Sequence, residues 1–130
     1  MTQEEKDKLL KYLCMALPYG VICQSPTGYK FTLHQMNPNE LTPFGKGVVF
    51  DFGKTYYIGD IKPYLRPISS MTEEERGEYY NVETNNSWER SSKRMDWLNE
   101  HHFDYRGLID KGLAIKVTED NNPYKDPYKD

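Results

Sequence analysis

Cysteine, histidine, long apolar runs and charge of one sign are all scarce in this chain of 130 residues, and each scarcity closes a class of function. Two cysteines, Cys14 and Cys23, cannot build the disulfide framework of a small secreted scaffold. Both sit among apolar neighbours and read as reduced, buried thiols. Three histidines and two distant cysteines make a poor structural zinc set. The adjacent His101 and His102 would point about 100° apart on a regular helix, so they cannot chelate one ion. No metal and no cofactor is expected. No apolar run approaches the roughly 20 residues of a membrane-spanning helix. The N-terminus sets Glu4, Glu5 and Asp7 against Lys6, Lys8 and Lys11, without the layout of a secretion signal, so a cytoplasmic setting with no membrane partner is expected. A net charge of −3 excludes a basic nucleic-acid arm. Gly-x-Ser-x-Gly, a phosphate-binding glycine loop and His-Glu-x-x-His are absent, no residue is singled out as catalytic, and a non-enzymatic protein is expected.

Aliphatic residues are thin as well. Leu, Ile, Val and Phe together number 26, a fifth of the chain, at the edge of the disordered class. That class also needs a large net charge, which is missing. What the chain has instead is tyrosine, 11 residues of it. Tyrosine must supply much of the buried surface, with its hydroxyl hydrogen-bonded or kept at a wet edge.

Local signals outline a single α+β domain over residues 1–118, followed by an extended or disordered tail over 119–130. Thr2 and Glu5 form a capping box, and Leu10, Leu13, Cys14 and Leu17 recur at helical spacing until Pro18 and Gly20 stop the helix. Two hairpins follow, one around Ser25-Pro26-Thr27-Gly28 and one around Gly53-Lys54, separated by a long aperiodic loop from Gln35 to Gly47. Asp60 reads as the cap of a short helical turn kept brief by Pro63 and Pro67. Overlapping capping boxes at Ser70–Glu75 start a helix toward Val82, a polar loop spans Asn81–Ser87, and a further helix runs from Trp88 to His102. Asp104 caps a short helix through Lys111, Gly112 stops it, and Leu113–Val117 forms a late strand. The expected architecture is a small curled antiparallel sheet, two hairpins plus the late strand, with the N-terminal and C-terminal helices packed on it. The chain ends on Pro-Tyr-Lys-Asp written twice.

Two binding surfaces suggest themselves. Tyr29, Tyr56 and Tyr57 lie on strands near Lys30, Lys46 and Lys54, in a locally basic segment, and stacking aromatics beside cations suit single-stranded nucleic acid. The plainer account of these residues is an aromatic core with ordinary surface lysines. The other surface emerges from three strings: LCMALPYGV (Leu13 to Val21), DIKPYLRPISSMTEEE (Asp60 to Glu75) and WLNEHHFDYRGLIDKGLAI (Trp97 to Ile115). Together they cover 44 residues and resemble a group of small proteins from gut Bacteroidales and their phages or prophages. The resemblance implies a phage or bacterial cytoplasmic setting and brings no activity with it; the function expected is that of a non-enzymatic accessory protein of a phage or mobile element working through an unidentified protein partner, with weak single-stranded nucleic-acid binding as the alternative. It directs attention to Lys62, Tyr64, Arg66, His101, His102, Asp104, Tyr105 and Arg106 as a partner-binding surface. A structural account of the same motifs is also open, with caps, proline stops and a corner locked by Trp97 and Phe103.

Overall fold

The computed structural model describes residues 1–82 and 86–125. Helix α1 (Gln3–Ala16) begins where its capping box places it: the Thr2 hydroxyl accepts from the Glu5 amide, and the Glu5 carboxylate accepts from the Thr2 amide. Pro18 then tightens the chain into a 3-10 turn, and Gly20, at φ 67°, closes it. Leu9, Tyr12, Leu13 and Ala16 form the buried stripe of α1.

The β structure is two small sheets. Strands β1 (Ile22–Gln24) and β2 (Lys30–Thr32) pair as the expected hairpin. Strand β3 (Gln35–Thr42) occupies what the sequence presents as a loop. It is an edge strand, ordered β3-β4-β5 with β4 (Gly45–Asp51) and β5 (Lys54–Tyr57), and its register shifts between Asn37 and Leu41 around Pro38. An edge with a bulge tolerates proline, and a strand with no fully buried side chain carries no apolar alternation to reveal it. The second correction is β6 (Lys62–Leu65), a central strand ordered β2-β1-β6-β7 where a brief helical turn was expected; the turn is confined to Ile58–Asp60. Pro63 is compatible with a central place because β7 (Ile115–Lys116) pairs only from Tyr64 onward. That pairing is parallel, so the late strand does not extend an antiparallel sheet.

Helix α2 (Glu73–Tyr80) uses the Thr72/Glu75 capping box, with three acids in its first turn at the favourable end of its dipole. Helix α3 (Ser87–Glu100) starts at Asn86 and stops short of His102, which turns the chain at φ 60°. Part of the loop expected over Asn81–Ser87, residues 83–85, lies outside the described residues. Among the described residues, no helix follows Asp104. Its two carboxylate oxygens accept from the amides of Leu108 and Ile109, each at 2.9 Å, closing a turn instead. The α+β class stands, with one core joining α1, both sheets and the segment from Leu108 to Ala114.

Where α1 crosses β4, Gly47 has no room for a side chain: a Cβ there would sit 2.8 Å from the Leu10 Cδ1 atom and 3.1 Å from the Ile58 Cγ1 atom. Cys23 is buried, and burial pushes its thiol up to about 12. Cys14 is exposed, contrary to the expectation of two buried thiols, because it lies at the border of the apolar stripe of α1. The two are not bonded. The expected tail also needs correction. Tyr124 packs against the core, so the ordered chain extends beyond Val117 through this residue. Residues 126–130 lie outside the described residues. No helix of the described chain is long and apolar enough to cross a membrane.

Candidate functional site

The partner-binding candidates do meet in space. Arg66 and Phe103 form a parallel bridge, with the Arg66 amide donating to the His102 carbonyl and the Asp104 amide donating to the Arg66 carbonyl, both at 2.8 Å. Their side chains, however, are largely taken up by the fold. Tyr64 is 1% exposed and its hydroxyl accepts from Gln24. Asp104 is buried and closes the following turn. The Arg66 guanidinium donates to both carboxylate oxygens of Glu75 at 2.7 Å and lies 4.2 Å over the Phe103 ring. Those bonds, with the Thr72 amide, hold the Glu75 carboxyl down at about 2. Trp97 stacks on Phe103 and on His101, so the corner is locked as the motif suggests. His102 stacks on Tyr124, and burial, with the charges of His101 and Arg66 nearby, pushes its imidazole down to about 4. Tyr105 donates to Asn99 at 2.9 Å and packs against Tyr12. Only Lys62 and Arg106 of the eight are exposed, and Arg106 reaches the Met15 sulfur at 3.1 Å. The motif corner is a structural joint. Residue types alone could not separate the two accounts, because the same arginine, acid and aromatic serve either.

The nucleic-acid candidates divide. Tyr56 stacks on buried Phe31, with ring centroids 5.3 Å apart, and Tyr57 packs on Phe44, so neither is free to stack on a base. Lys46 pairs with Leu41 at the far end of β4, roughly 16 Å along the strand from Asp51. Tyr29, Lys30 and Lys54 come together. Tyr29 and Lys30 line an open cleft of about 460 Å³ with Thr32, His34 and Phe52, over a floor of Phe31 and buried Asp51, and Lys54 reaches the Tyr29 ring at its edge.

Two turns build this cleft. In the β1–β2 turn, the buried Ser25 hydroxyl accepts from the Tyr29 amide, while the Ser25 amide donates to the Tyr29 carbonyl. The Tyr29 backbone is thereby fixed while its ring stays 52% exposed. In the β4–β5 turn, Asp51 pairs with Lys54 around a two-residue loop, Phe52 at φ 44° and Gly53 at φ 84°. Two positive φ angles define a type I′ turn, whose first position favours Asn, Asp or Gly. A phenylalanine there costs roughly 1–2 kcal/mol of backbone strain, and this one is 89% exposed. Its ring approaches His34 at 5.5 Å. The Lys54 ammonium lies 5.8 Å from the Tyr29 ring centroid, and Lys30 stands in register with Gln24, which in turn pairs with Lys62 of β6. Lys30 thus lines the aromatic cleft and Lys54 stands at its Tyr29 edge, while Lys62 lies two strands from Lys30. Phe52 and His34 were not among the sequence candidates; the readable signal was a bulky aromatic in an Asp-Phe-Gly-Lys turn.

Among the described residues, no group of three or more His, Cys, Asp or Glu is arranged to hold a metal ion. No protein-family model matches the chain, and no curated protein or solved structure matches it significantly.

Proposed function

We propose that the protein is a non-enzymatic binding protein that takes weak hold of single-stranded nucleic acid in the Tyr29–Phe52 cleft. The observation that carries this reading is Phe52. A strained backbone holds an aromatic ring out in solvent, where burial gives nothing in return, and such local conflicts concentrate at functional sites. Tyr29 and Phe52 offer faces on which bases stack, and Lys30 and Lys54 offer counter-charge to phosphates. An open, shallow cleft suits a flexible polymer better than an enclosed small molecule.

The test is anisotropy of a labelled oligothymidine across a salt series. Two cations at the cleft, Lys30 and Lys54, set a ceiling of about two phosphate contacts, so log K should fall with log salt at a slope of roughly −1.4. Phe52→Ala and Tyr29→Ala should each weaken binding by roughly 5- to 100-fold, the range for one stacked base. Absence of binding at low salt, or binding indifferent to both substitutions, refutes the proposal.

A second reading is an accessory protein of a phage or mobile element that binds a protein partner, in keeping with the motif resemblance. It is favoured by Leu41 and Phe44, 85% and 59% exposed around the β3–β4 turn, at the opposite end of β4 from Lys54. Capture of a partner from phage-infected cells that is lost on Leu41→Asp supports it. Capture of no partner at all counts against it.

A further inference from the structure

The β1–β6 ladder runs through Gln24–Lys62 and Cys23–Pro63, and its next pair would join Ile22 to Tyr64. At that step the hydroxyl of Tyr124 stands between the strands. It accepts from the Ile22 amide at 2.9 Å and donates to the Tyr64 carbonyl at 2.7 Å. The Tyr124 ring lies flat on His102, with centroids 3.8 Å apart and planes 8° from parallel. The backbone that delivers this side chain is a compact turn. The Asn122 Oδ1 atom accepts from the Tyr124 amide at 3.0 Å, and the Asn122 carbonyl accepts from the Lys125 amide at 3.3 Å, with Pro123 fixing the backbone between them.

Proline, tyrosine and lysine of that turn return four positions later, and aspartate stands where asparagine heads it. Asn122-Pro123-Tyr124-Lys125 is followed by Asp126-Pro127-Tyr128-Lys129. Aspartate offers the same side-chain acceptor as asparagine at the head of such a turn. The duplicated unit is therefore the whole anchoring device, larger than a repeated tyrosine. We propose that the slot between Ile22, Tyr64 and His102 is a docking site for an Asx-Pro-Tyr-Lys segment, with two interchangeable occupants in the same chain: Tyr124 and, when it leaves, Tyr128.

Reach favours the exchange. The last ladder-type anchor before the tail is the Val117 amide on the Leu65 carbonyl. Tyr124 lies seven residues beyond it and Tyr128 eleven, so the second occupant only lengthens a loop. Loop-closure scaling puts the cost of the extra length at about twofold in favour of Tyr124. The turn between Thr118 and Asn121, whose amides bond to each other's carbonyls, adds to that preference. Exchange would free the first motif while the split between β1 and β6 stays plugged.

The test uses the full chain and the ring protons of His102, which the stacked tyrosine shifts upfield. Tyr128→Ala should match the wild type. Tyr124→Ala should keep at least half of the upfield displacement, and Tyr124→Ala/Tyr128→Ala should lose it. A Tyr124→Ala chain already shifted like the double variant overturns the proposal. Displacement in Tyr124→Ala that grows with protein concentration also overturns it, because the tyrosine would then come from a neighbouring molecule. If the double alanine variant does not fold, Tyr124→Phe and Tyr124→Phe/Tyr128→Phe carry the same question to the Ile22 amide. Hydrogen exchange there should rise roughly twofold in the single variant and on the order of tenfold further in the double. Equal rates in the two variants refute the exchange.

Discussion

Glu75→Gln is the most direct test of the motif corner as a structural joint. The Glu75 carboxylate receives both arms of Arg66 at 2.7 Å and also accepts from the Thr72 amide at 3.0 Å. It therefore ties the end of β6 to the start of α2. A carboxyl lowered from 4.5 to about 2 corresponds to at most about 3 kcal/mol of preferential binding of the charged form. Both partners keep a solvent edge, with 24% of the Arg66 and 17% of the Glu75 side chain exposed, so screening leaves roughly 1–2 kcal/mol. The sign follows from the depressed value: this stability is fully present above about pH 4.5 and is lost as the pH falls toward 2. Glutamine keeps the shape and one acceptor for the Thr72 amide, so the substitution removes mainly charge. Urea unfolding followed by tryptophan fluorescence should show Glu75→Gln less stable than wild type by roughly 1–2 kcal/mol at pH 7, and by only a few tenths at pH 2. The exposed Glu74→Gln serves as control and should stay within about 0.5 kcal/mol at both. If the Glu75→Gln deficit is the same at pH 7 and pH 2, or absent at pH 7, the Arg66 pair does not hold this corner.

Two further substitutions probe the strained turn and the tightest crossing. Phe52→Gly should raise stability by about 1 kcal/mol by relieving the left-handed strain, measured by thermal unfolding, while abolishing the stacking contribution to oligonucleotide binding. A loss of stability would show that Phe52 is held for packing. Gly47→Ala combines a φ of 100° with a 2.8 Å approach to Leu10, so it should destabilise by at least about 2 kcal/mol. A neutral result in urea titration would mean that α1 can shift away from β4 at little cost.

What the sequence determined by itself is the chemistry confined to neighbours along the chain. The capping boxes at Thr2 and Thr72, the glycine stop at Gly20 and the two hairpin turns satisfy backbone groups within about four residues. The residue types at those spacings announce them. Asp104 marks the border of that range. Its capping role was legible, but whether a helix or a turn followed depended on packing beyond the cap. Tertiary structure alone decided what lies across the fold from a given residue. Strand β3 exists through its ladder with β4, which leaves no trace in its own apolar pattern. Pro63 sits in a central strand because β7 begins one residue later. Tyr64 is lost to the interior, whereas Tyr124, four residues from a repeat of itself, is held by His102 and the parting strands. Tyrosine is both apolar and a hydrogen-bonding group, so its count predicts how much surface must be covered. Which ring covers the core and which faces a ligand is set by long-range partners, and those exist only once the chain has folded.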